Sequence, residues 1–86
     1  MREYIKKTVD NLITKYKTQN PFELLKHLGI STEFNCSLSD LKGFFAVIND
    51  KKFVVINSNL PEESQKTVAA HELGHCCLHE HFHRGP

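Results

Sequence analysis

Residues 71–75 read His-Glu-Leu-Gly-His, and this pentapeptide constrains the chain more than any other segment. Its spacing has a use only on a helix. Residues four apart on an α-helix stand one turn apart on the same face. His71 and His75 can then direct both imidazoles at one tetrahedral cation, each nitrogen about 2 Å from it. Glu72 is turned about 100° from His71, beside such a cation rather than on it. From there its carboxylate can take a proton from water, whose pKa a bound zinc ion lowers to about 7. The pattern HExxH is a signature of zinc-dependent peptide hydrolysis when it lies on a helix.

The flanking residues predict that helix. Pro61 suits a first helical position, and Glu62 and Glu63 favour the positive end of a helix dipole. Small and apolar residues then continue through Val68, Ala69, Ala70, Leu73 and Leu78 to about Glu80. They lie nearly all around the helix, which predicts a buried one. A charged glutamate and two histidines on a buried face are costly without a metal or another partner. The plain alternative is two satisfied core histidines and a surface glutamate. Gly74 costs about 1 kcal/mol relative to alanine inside a helix, so another part of the chain is expected to approach closely there.

Upstream, Tyr4, Ile5, Val9, Leu12, Ile13 and Tyr16 recur at helical spacing and predict an amphipathic helix from Arg2 to about Lys17. Asn20 is an N-cap and Pro21 a first helical residue for a second, shorter helix. Gly29 stops it. A short strand follows over residues 30–34. Gly43–Ile48 and Lys52–Asn57 are rich in β-branched and aromatic residues and are joined by Asn49-Asp50, which reads as a β-hairpin. The expected fold is α+β: N-terminal helices, a small antiparallel sheet of two or three strands, and a buried C-terminal helix carrying HExxH. With 86 residues, one domain spanning 1–86 is expected.

A catalytic zinc site usually has three protein ligands. His79 continues the row of His71 and His75, but an unbroken helix would set it about 12 Å from His71. His81 sits six residues after His75, the spacing of a third ligand in the metzincin pattern. Leu78 occupies the position where that pattern has the glycine that turns the chain. His83 is a weaker match, and Glu80 lies too near on the same helix.

The net charge of +1 gives no electrostatic case for nucleic acid or membrane binding. The N-terminus lacks the apolar core of a secretory signal, and no apolar run is long enough to span a bilayer. Cys36, Cys76 and Cys77 have no framework spacing, which points to free thiols in a reducing, cytoplasmic compartment. Cys76 and Cys77 point away from the His71–His75 face and read as buried core thiols.

The stretch VVINSNLPEESQKTVAAHELGHCCLH resembles the core of the ImmA/IrrE family of metallopeptidases. Val55, Ile56 and Asn57 match the end of that family's hairpin strand. Ala70–His75 match its helix, and Leu78-His79 the tail of that helix. The Asn20-Pro21-Phe22-Glu23 opening and the Leu28-Gly29-Ile30 helix end are also similar. The resemblance implies a zinc-dependent peptidase of bacteria, phages and integrative elements that cleaves a helix-turn-helix repressor. It implies His71 and His75 as metal ligands, with zinc or another divalent ion, and Glu72 as the catalytic residue. The family's third ligand is an acidic residue on a helix well downstream of HExxH, a part that residues 1–86 are expected to lack. The competing expectation is a non-catalytic module that binds a metal or a protein partner.

Overall fold

A computed structural model describes residues 2–82, and side chains up to residue 78. Three helices and three strands follow one another as α1 (Arg2–Tyr16), α2 (Pro21–His27), β1 (Ser31–Asn35), β2 (Gly43–Ile48), β3 (Lys51–Asn57) and α3 (Glu62–Phe82). This is the expected α+β class.

Local chemistry explains most element boundaries. Asn20 Oδ1 accepts a hydrogen bond from the Phe22 amide at 2.9 Å and caps α2. At the other end, Gly29 takes φ +74°. Its amide donates to the Lys26 carbonyl, and the Ile30 amide donates to the Leu25 carbonyl. This is a Schellman stop, with Ile30 and Leu25 both buried as its apolar contact. Ile30 is consumed by that cap, so β1 starts one residue later than the sequence suggests. Asn49 and Asp50 have φ of 51° and 66°. Two consecutive left-handed residues give the two-residue hairpin turn whose twist matches the flanking strands.

The sheet departs from expectation in one respect. β2 and β3 are antiparallel, but β1 pairs with β3 in parallel, giving the order β1-β3-β2. The sheet is mixed, with β3 in the middle. Because β1 and β2 flank β3 on opposite sides, the connection 36–42 must arch over the end of β3 at Asn57.

α2 and α3 cover one face of the sheet. The core is Leu24 and Leu25 of α2, Ile30, Val54 and Ile56 of β3, and Val68, Ala69, Leu73 and Cys76 of α3. α1 contributes its apolar stripe of Val9, Leu12, Ile13 and Tyr16, all half-buried. α3 is buried on one side only. Val68, Ala69, Glu72, Leu73, Cys76 and Cys77 are enclosed, whereas Ala70, His71 and His75 are exposed. Among the described residues no helix is long and apolar enough to cross a membrane.

Among the described glycines, the tightest approach is at Gly43. A Cβ there would lie 2.6 Å from the Val55 carbonyl oxygen and 2.7 Å from Val68 Cγ1. At Gly74, where the sequence predicts a close approach, a Cβ would meet Ile5 Cγ2 of α1 at 3.4 Å, close to an ordinary contact. The two glycines should therefore respond differently. Gly43→Ala should lower the unfolding free energy by about 1–3 kcal/mol, the usual range for overpacking. Gly74→Ala should be neutral or stabilising, because the helix-propensity gain of about 1 kcal/mol meets little resistance. Urea denaturation of both variants checks the contrast.

Candidate metal centre

α3 is seated on the sheet by Ala69, Leu73 and Cys76, and this seating fixes where residues 71, 72 and 75 point. His71 and His75 emerge on the open side of the helix. Their ring centroids are 4.4 Å apart, with planes at 62°. Glu72 lies on the buried side and is only 4% exposed. One potential ligand atom from each of His71, Glu72 and His75 falls within 4.8 Å of the other two. The geometry excludes the plain alternative drawn from the sequence, since the histidines are outside the core and the glutamate is not on the surface.

The state of Glu72 is the informative feature. Its Oε1 lies 3.1 Å from His75 Nδ1. The two atoms are close but not aligned as a hydrogen bond, and Oε1 is left buried with no hydrogen-bond partner. A buried carboxylate oxygen without a partner carries a desolvation penalty of about 1–3 kcal/mol or more. Such an atom calls for a cation or a positioned water beside it. Two exposed imidazoles with a buried carboxylate oxygen that lacks a hydrogen bond beside them fit a divalent cation. They suit zinc, which takes imidazole nitrogen readily.

The side chains of His79 and His81, and His83 altogether, lie outside the described residues. α3 itself runs without a break through Phe82.

A cleft of about 710 Å³ opens beside His71 and Glu72. One wall is α3, with Glu63, Ser64, Thr67 and Val68. The other is the end of the 36–42 arch, with Asp40, Leu41 and Lys42, continuing into Gly43; Leu60 lies between. The sequence reading missed this second wall entirely. Its one local signal is Gly43 at the head of an otherwise bulky strand.

A peptidase family described as the IrrE N-terminal-like domain matches residues 25–82, more than half of the chain. The chain belongs to this family. A relative, "Uncharacterized immunity region protein 2" of Bacillus phage phi105, is 41% identical over 75 residues, or 87% of this chain. The same alignment covers 48% of the relative, so the chain spans about half the relative's length. No solved structure matches significantly. The match over 25–82 takes in α3, β3 and the arch, so both walls of the cleft lie within the IrrE-like region.

Cys76 and Cys77 behave as core residues here. Cys76 and Cys77 are buried and Cys36 is exposed; none is in a disulfide. Burial, with smaller effects from Cys77 and Glu72, pushes the Cys76 thiol from its ordinary 9.0 up to about 12. Burial also raises that of Cys77. Native protein at neutral pH should therefore react with a thiol reagent at Cys36 alone, and at all three cysteines once denatured. Because the folded thiol holds its proton more tightly than the unfolded one, its stabilising contribution is complete below pH 9.0 and is lost as pH rises toward about 12. Thermal melts across that interval should fall, and replacing Cys76 by Ala should flatten the fall.

Proposed function

We propose that this chain is the core of a zinc-dependent peptidase that cleaves a helix-turn-helix repressor of a phage or mobile element in the cytoplasm. The observation that carries the proposal is the buried carboxylate of Glu72, whose Oε1 has no hydrogen-bond partner, beside the paired imidazoles of His71 and His75.

In this reading His71 and His75 hold the ion through ring nitrogens, and a third ligand comes from outside the described residues. When bound, zinc supplies Lewis acidity toward the peptide carbonyl and lowers the pKa of water to about 7. Glu72 takes a proton from the attacking water and passes it to the leaving amine. Its burial favours this task, since a carboxylate facing bulk water would be screened and less directed. The cleft gives an extended peptide a place beside these groups. β2 stands at the edge of the sheet next to it, where a substrate segment can add as a further strand. The choice of a repressor as substrate is supported by family membership and by a relative whose name refers to a phage immunity region.

A second reading keeps the metal and drops the chemistry. It is favoured by one observation: the described cluster has two histidines and one glutamate, fewer metal-directed side chains than three ligands and a general base. The two readings separate experimentally. Purified protein is incubated with zinc and a candidate repressor, and zinc content is measured by elemental analysis. Glu72→Gln should abolish cleavage, by about 10²–10⁴-fold for a lost general base, and leave zinc bound. His71→Ala should lose both zinc and cleavage. Cleavage that survives Glu72→Gln rules out the general-base role. Stoichiometric zinc with repressor binding and no cleavage favours the second reading.

A further inference from the structure

We infer that Asn57 is a positioning residue that holds the arch wall of the cleft, and thereby governs substrate binding without taking part in metal binding. Its effect on substrate rests on the peptidase reading above; its hold on the wall does not.

The topology creates the need. Passing from β1 to β2, the chain crosses the end of β3, and Asn57 is the residue beneath the crossing. It is 4% exposed. Its side-chain amide donates to the Ser39 carbonyl at 3.2 Å and to the Leu41 carbonyl at 3.0 Å. Its Oδ1 accepts from the Asn59 amide at 2.9 Å. Its own backbone amide donates to the Lys42 carbonyl at 2.8 Å. One residue therefore holds three carbonyls of the segment that supplies Asp40, Leu41 and Lys42 to the cleft. Ser39 has φ 55°, a conformation that a non-glycine residue keeps only when its surroundings enforce it. The bond from Asn57 to the Ser39 carbonyl is such a restraint.

The wall brings Asp40, Leu41 and Lys42 to the cleft. Leu41 is an apolar side chain held half out of the protein there. Releasing the wall leaves α3 and the histidines in place and makes substrate order the arch as it binds, which weakens binding. Asparagine alone meets these demands at this size: two side-chain donors toward carbonyls and one acceptor toward an amide. Aspartate keeps the shape and the acceptor but turns an oxygen toward two carbonyl oxygens.

The test uses the full chain loaded with zinc. In the wild type, the Asn57 side-chain amide protons should be protected from solvent exchange by NMR; exchange at the solvent rate overturns the proposal and needs no variant. Asn57→Asp should speed backbone exchange in residues 38–42 at least about tenfold, leaving Val54, Ile56, Ala69 and Leu73 as protected as before and zinc stoichiometry unchanged. With a quenched fluorescent peptide that the wild type cleaves, KM should rise about tenfold and kcat stay within about twofold, the pattern of lost binding. Zinc loss, or core exchange that accelerates in step with the arch, overturns the proposal by making Asn57 a general structural residue. If the wild type cleaves no peptide, the peptidase reading fails, and the exchange measurements alone decide whether Asn57 holds the wall.

Discussion

The setting of α3 against the sheet is the constraint from which the site follows. Gly43 leaves no room for a side chain between β2 and Val68, so the helix lies directly on the strand. Ala69, Leu73 and Cys76 then settle its rotation by entering the core. Taking Ala69 as the centre of the buried arc, Leu73 and Cys76 fall within about 40° of it at 100° per residue. Glu72 is about 60° away and so is carried inward. His71 and His75 are about 160° and 120° away and so are carried outward. One rotation angle thus produces a buried carboxylate and two open imidazoles, with no strained backbone at any of the three.

Much of this was legible in the sequence because it is local. The cap at Asn20, the stop at Gly29 and the Asn49-Asp50 turn each rest on interactions within about five residues. The apolar stripe of α1 emerged as predicted, with every residue of it half-buried. The HExxH spacing carried its own geometry, since a turn of helix is the same in any protein. The expectation of a helix buried on all sides was less successful. Small residues such as Ala70 satisfy a count of non-polar positions, yet bury too little area to pull a face inward.

What the sequence did not disclose depends on pairing between distant segments. Nothing local to residues 31–35 says that they run parallel to β3, and that choice decides that the chain must arch over Asn57. The role of Asn57 is invisible until the arch exists, because its partners are 16 and 18 residues away. Gly74 drew notice because glycine is unfavourable in a helix, although its neighbour stands at near-ordinary contact. Gly43 drew none because it opens a strand, although there the packing is closest. Glycine marks close approach by what faces it across the fold, and propensity does not report that.

The fold divides labour between a rigid element and a tethered one. The groups suited to chemistry sit on α3, which contributes four residues to the core and cannot turn without disturbing it. The surface suited to recognition lies on the arch, held by hydrogen bonds rather than by packing. An exposed pair of imidazoles also leaves the site facing solvent, where charge stabilisation is weak. Any further ligand that reaches these rings must come across their open side, because Glu72 and the core occupy the other. If the rings hold an ion, the same approach would exclude water from it, so completing the coordination and lowering the local dielectric would be one event rather than two.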